Sequence, residues 1–178
     1  MVSNAAYYKT LKHRVRNHEA RIGILGLTAD GLDAAVRYSR DGYTVICIDS
    51  RDFRVESVRR GISFSDSVPD IDLEELVSAG RIKATTNVRT VREVDFLLVF
   101  QEPAATQRRR ALDIGSEFKA VSRHLKRGVI ICLEQDGERQ SCYDDMKGIM
   151  EAGGRVYGVD YLLGTFSMAL KSGGVSLV

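Results

Sequence analysis

The chain has 178 residues, 44% hydrophobic and 28% charged, with 26 Lys and Arg against 24 Asp and Glu and a formal net charge of +2. That length suits one domain with its own core, and the composition excludes wholesale disorder and a membrane protein. A charge so near neutrality gives no electrostatic footprint for nucleic acid, and no run approaches the roughly 18 apolar residues a membrane span needs.

Asn4 to Asn17 carries Tyr8, Leu11 and Val15 at helical spacing among Lys9, Lys12, Arg14 and Arg16, which predicts a short amphipathic helix. Arg21 to Leu25 is a short apolar run ending at Gly26, and Leu27 to Arg40 has Leu32, Ala35, Val36 and Ser39 at helical spacing. The order is strand, tight turn, helix. Tyr43 to Ile48 comes next, β-branched and continuous, as a parallel strand covered on both faces should be. Phe53 to Arg60 and Ile71 to Ala79 are expected helices stopped by Gly61 and Gly80, the second with Asp70 or Asp72 as its cap.

Arg81 to Ala84 is the third expected strand, Val88 to Glu93 a helical turn and Val94 to Phe100 a buried fourth strand. Thr106 to Lys126 places Ile114, Phe118, Val121 and Leu125 on one helical stripe that Gly128 ends. Val129 to Leu133 is the fifth strand, Ser141 to Ala152 a helix and Arg155 to Gly158 a sixth strand. This alternation predicts an α/β fold: a three-layer, doubly wound Rossmann-type parallel sheet over 20–158. A helical extension over 1–19 precedes it, and an apolar segment over 159–178 is expected to pack on the domain or on a partner subunit. The extension and that segment together suggest a homodimer.

The turn Gly26-Leu-Thr-Ala-Asp-Gly31 lies between the first strand and its helix, where a dinucleotide fingerprint belongs. In that fingerprint the first glycine makes the tight turn, the second lets backbone approach the pyrophosphate and the third packs helix on strand. Here Gly26 and Gly31 stand at the outer positions and Thr28 at the middle one, where its side chain is expected to crowd the approach while Asp30 adds negative charge. Asp49 ends the second strand, placed to accept hydrogen bonds from adenosine ribose hydroxyls and to favour NAD over NADP; Arg51 beside it weakens that preference. The plain alternative is that both glycines only shape a turn and Asp49 caps the segment after it.

On these residues the chain resembles the NAD-binding domain of the UDP-glucose/GDP-mannose dehydrogenase family, from about Arg21 to Tyr157. Ile22 to Leu27 with Gly31-Leu32 is similar to the family's first strand and glycine turn, and Val45 to Asp49 to its second strand and acid. Arg54-Val55, Gly61, Leu76, Gly80-Arg81 and Ala84-Thr-Thr86 are similar in spacing to the stretch that leads to the third strand. Val94 to Val99 with Pro103 is similar to the fourth strand and the loop under the nicotinamide, where the family has Thr-Pro and this chain Glu102-Pro103. Val129 to Glu134 is similar to the strand before a Ser-Thr pair, replaced here by Gln135-Asp136.

The resemblance implies dinucleotide contacts from Gly26, Leu27, Thr28, Gly31, Asp49, Ser50, Arg51, Phe100, Gln101, Glu102, Pro103 and Glu134. It also implies that the catalytic Cys and the sugar-binding domain of the longer family members lie beyond this chain. Three roles are open: a stand-alone NAD(H)-binding domain, an NAD-dependent sugar oxidoreductase completed by a separate chain, or an interaction scaffold without cofactor.

Other constellations carry the plainer expectation. Glu134, Asp136, Glu138, Asp144 and Asp145 suit a solvated acidic loop, and Arg108 to Arg110 the wet face of a helix. Cys47, Cys132 and Cys142 form no CxxC pair and no metal-ligand spacing with His13, His18 or His124, as expected of reduced thiols in a cytoplasmic protein. No catalytic residue and no metal ligand is assigned.

Overall fold

The computed structural model describes residues 4–100, 114–126, 128–133 and 160–163. Its elements run α1 (Asn4–Arg16), β1 (Arg21–Leu25), α2 (Ala29–Arg40), β2 (Thr44–Ile48), α3 (Asp52–Arg59), α4 (Asp70–Ser78) and β3 (Ile82–Thr85). A 3-10 turn over Val88–Glu93 precedes β4 (Phe96–Val99), α5 (Ile114–Ser122), β5 (Ile130–Leu133) and β6 (Asp160–Leu163).

The described strands form one six-stranded sheet in the order β3-β2-β1-β4-β5-β6, with every pairing parallel. This is the doubly wound Rossmann order, whose reversal point lies between β1 and β4. Side chains alternate across the sheet and so divide the core in two. Ile22, Ile24, Val45, Cys47, Phe96 and Leu98 face the layer of α1 to α4, while Ile46, Ile48, Leu97, Val99 and Ile131 face Phe118 and Val121 of α5. Both faces of the central strands are covered, which is why Val45 to Ile48 and Phe96 to Val99 read as unbroken apolar runs.

The sixth described strand is Asp160–Leu163, and the strand expected over Arg155–Gly158 lies outside the described residues. Ile130 to Leu133 pair with Asp160 to Leu163, so the sheet takes four residues from the segment expected to pack on the domain or on a partner subunit. The predicted cap of α4 also differs. Pro69 occupies the N-cap position without a side-chain bond, and Asp70 instead accepts from the Ser63 amide at 2.7 Å, closing the loop ahead of the helix.

Helix α1 lies on its own domain. Leu11 and Val15 are buried in the main core, the Tyr43 hydroxyl donates to the Val15 carbonyl at 3.0 Å, and Arg14 reaches the Asp95 carboxylate at 2.8 Å. The apolar stripe that suggested a subunit contact is thus engaged within the chain at those two positions. Cys47 and Cys132 are buried in the sheet, while Cys142 and the expected helix over Ser141 to Ala152 fall outside the described residues. Burial, helped by the charge of Asp49, pushes the Cys47 thiol up to about 12, which makes it inert. Among the described residues no helix is long and apolar enough to cross a membrane.

Candidate functional site

Gly26 sits where β1 must turn sharply into α2 between two neighbouring strands. Its φ is +92°, its amide donates to the Ile48 carbonyl at 3.1 Å, and the next rung is Phe100 N–H donating to the Leu25 carbonyl at 2.9 Å. A Cβ on Gly26 would lie 2.3 Å from the Phe100 carbonyl oxygen, and one on Gly31 would lie 2.6 Å from the Gly26 carbonyl oxygen. The two glycines therefore do what the outer positions of the fingerprint require: one turns the chain, the other lets helix approach strand.

Thr28, the residue expected to crowd the approach, is built into the start of α2. It takes extended dihedrals as the N-cap of α2, and its Oγ1 accepts from the Gly31 amide at 3.0 Å. At 3% exposure its side chain is buried in the turn. A threonine cap of this kind contributes about 1 kcal/mol, and the position thereby serves the helix in place of the missing glycine. The helix start remains electropositive, and Ala29 and Asp30 are exposed there. Asp30 does add its carboxylate to that first turn.

Asp49 is buried at the carboxyl end of β2, its side chain 0% exposed. Its Oδ2 accepts from the Leu27 amide at 2.6 Å, which ties the acid directly to the glycine turn. Burial pushes this carboxyl up, but hydrogen bonds from the Arg51 side chain, the Arg51 and Leu27 amides and the guanidinium charge outweigh it and hold it below the usual carboxylate range. The Arg54 guanidinium donates to the Leu27 carbonyl and lies 5.2 Å from the Phe64 ring, so Leu27 is pinned on both sides. Farther along α2, the hydroxyls of Ser65 and Ser67 both donate to Asp33, folding the loop before α4 onto that helix.

Glu117 was not singled out in the sequence. The Ser50 hydroxyl donates to it at 2.6 Å, so α5 closes the far side of the acid's surroundings. Its place on the stripe, three residues after Ile114 and four before Val121, was the available signal. Burial raises the Glu117 carboxyl, the Ser50 bond opposes that, and the nearby charge of Asp49 adds to the rise.

The two acids give opposite pH signs. Asp49, depressed in the fold, contributes stability above its unfolded value that is lost as pH falls through the folded value. Glu117, raised in the fold, binds its proton more tightly folded than unfolded, so stability falls as pH rises from about 4 through its raised value. Glu117→Gln is expected to remove that fall and leave the acid-side loss intact. Thermal unfolding followed across the acidic range checks this, and an unchanged fall on the neutral side would contradict it.

The structure thus brings together Gly26, Leu27, Thr28, Gly31, Asp49, Ser50 and Arg51, with Phe100 forming the next rung beside Gly26. Gln101, Glu102, Pro103 and Glu134, and the acidic and arginine clusters around them, fall outside the described residues. His13 contacts Asn17, His18 stacks on Tyr43 at 4.8 Å and His124 meets Arg92 at 3.3 Å, all away from the glycine turn. A cavity of about 310 Å³ lies at the outer edge of the sheet, lined by Val58, Arg59, Val77, Ile82 and Lys83, and shares no residue with the turn.

No protein-family model matches the chain. Over 117 residues, 64% of this chain, it is 26% identical to UDP-N-acetyl-D-mannosamine dehydrogenase of Pyrococcus horikoshii. Among solved structures it resembles the UDP-D-ManNAc dehydrogenase of that organism (TM-score 0.66, 22% identity, 79% of this chain and 34% of that one). GDP-mannose dehydrogenase from Pseudomonas aeruginosa is similar (TM-score 0.64, 20% identity, 85% and 38%). So is UDP-glucose dehydrogenase from Pyrobaculum islandicum (TM-score 0.67, 18% identity, 80% and 34%). These structures establish the fold. The chain spans 28% of the length of the curated relative and little more than a third of each solved one.

Proposed function

We propose that this chain, similar in sequence and fold to one part of the nucleotide-sugar dehydrogenases, is an NAD(H)-binding domain. The observation that carries the reading is the 2.6 Å bond from Leu27 N–H to Asp49, which joins the glycine turn and the acid at the end of β2 into one unit. The exposed start of α2 at Ala29 and Asp30 would meet the pyrophosphate, and Asp49 the adenosine ribose. The residues present fit the group: the turn has no room for a Cβ at either outer glycine, and the acid is charged and already close to the turn. By resemblance alone, Phe100, Glu102 and Pro103 are assigned to the nicotinamide half, and Gln101 and Glu134 to the dinucleotide in general. A carboxylate at Asp49 favours NAD over the 2′-phosphorylated dinucleotide. Bound NAD supplies a hydride acceptor.

Calorimetric titration of wild type and Asp49→Ala with NAD tests the assignment, at a temperature where circular dichroism shows both folded. The variant is expected to bind at least about tenfold more weakly, a difference of about 1.4 kcal/mol. Equal affinities would remove Asp49 from the site.

The names of the relatives support a second reading, in which the domain serves oxidation of a nucleotide sugar with catalytic groups from another polypeptide. NADH formed from UDP-glucose and NAD only when a second protein is added would support it; no NADH under any such pairing would count against it.

A further inference from the structure

Both oxygens of Asp49 are fully used. Oδ1 accepts from the Arg51 amide and from Arg51 Nε, each at 2.8 Å. Oδ2 accepts from the Leu27 amide and from Arg51 Nη2, each at 2.6 Å. A carboxylate offers about four lone-pair positions, and four donors meet them here. The diol of a ribose has nothing left to donate to.

The four donors are not equally fixed. Leu27 N–H belongs to the turn held by Gly26, and Arg51 N–H belongs to the bend that begins α3. Both are set by the fold. The guanidinium is a side chain at 20% exposure, against 0% for the carboxylate it covers, and it is the donor that can swing outward. It engages the acid through two nitrogens on two oxygens, the planar two-point geometry in which arginine is strongest.

The geometry points to Arg51 as a built-in competitor of the dinucleotide, occupying on Asp49 the two-point contact that the ribose diol would make. The inference rests on the dinucleotide reading of this site. Binding exchanges two charge-assisted bonds for two bonds from neutral hydroxyls, so the affinity for NAD is lowered by the fraction of time the acid is covered. The released guanidinium, two residues from the acid, stands beside the ribose 2′ position, where it meets a 2′-phosphate. Arg51 therefore penalises NAD more than NADP and compresses a preference that Asp49 alone would make large.

Wild type, Arg51→Ala and Arg51→Lys are titrated calorimetrically with NAD and with NADP. Arg51→Ala is expected to bind NAD roughly tenfold more tightly than wild type and NADP no more tightly, so that the ratio of the two affinities widens. Arg51→Lys is expected between them, because an ammonium cannot span both oxygens; it also serves if the alanine variant fails to fold. NAD binding by Arg51→Ala where wild type shows none would support the competition most strongly. If wild type binds NAD and the variants bind it no better, the competition is wrong and the dinucleotide reading stands. If no protein binds either dinucleotide, both fall.

Discussion

Asp95→Ala is expected to lower the thermal unfolding midpoint by about 6 to 12 °C. Asp95 is 0% exposed at the entry to β4. Its Oδ1 meets Arg14 Nη1 at 2.8 Å and Lys126 Nζ at 2.7 Å, and its Oδ2 accepts from the Arg21 amide at 2.9 Å. Its own backbone continues the sheet, receiving Ile130 N–H and donating to the Arg21 carbonyl. One side chain thus joins the end of α1, the start of β1 and the approach to β5.

Removing it strands the Arg21 amide and two cations. Those cations are about a third exposed and can turn to water, which sets the cost near 3 kcal/mol, the lower end for breaking a buried pair. Glu93→Ala is the control: its pair with Arg21 is about half exposed on both sides, and its loss should cost less than about 0.5 kcal/mol. Unfolding midpoints of the two variants within about 2 °C of each other would contradict this account of Asp95.

Gly26→Ala is the second large effect, expected to cost about 3 kcal/mol or more by urea denaturation and to abolish dinucleotide binding with it. Two independent penalties act at that position. A φ of +92° strains any residue with a Cβ, and the added carbon would stand 2.3 Å from the Phe100 carbonyl oxygen. The obstacle is backbone immediately after the central strand β4 and cannot rotate aside. Relief requires β4 to move from β1 or the turn to open, and either change displaces Leu27 N–H from Asp49. A denaturation midpoint equal to that of wild type would show the turn to be far more pliable than its packing implies.

The order of strands and helices was legible because both faces of a parallel sheet are covered, leaving continuous apolar runs such as Val45 to Ile48 between amphipathic helices. The sheet order and β6 were not equally legible. Register is a property of two segments, and Asp160 to Leu163 shows it only beside β5. Helix α1 was visible from Leu11 and Val15, but that its partner is its own domain depends on Asp95, some eighty residues away, and on Tyr43.

The same division holds in the site. Gly26, Gly31 and Asp49 follow from what a tight turn and a strand-end acid require, and Thr28 declared itself only as the exception. Its role as the cap of α2 needed the 3.0 Å bond to Gly31 N–H, and the saturation of Asp49 needed a count of donors around both oxygens. Arg51 stood two residues from the acid in plain view, yet adjacency in sequence does not say whether a guanidinium covers a carboxylate or faces solvent. Glu117 lay on an apolar stripe, which is a signal of burial and not of partnership with Ser50.

The central claim is that the glycine turn and Asp49 form one dinucleotide site. Amide chemical shifts of the isotopically labelled chain, recorded during titration with NAD, test it most directly. Saturable shifts should appear at Leu27 to Gly31 and at Ser50 and Arg51, with little change at the distant edge strand Ile82 to Thr85. An unchanged spectrum at millimolar NAD, or shifts confined to that edge strand and its cavity, would contradict the claim.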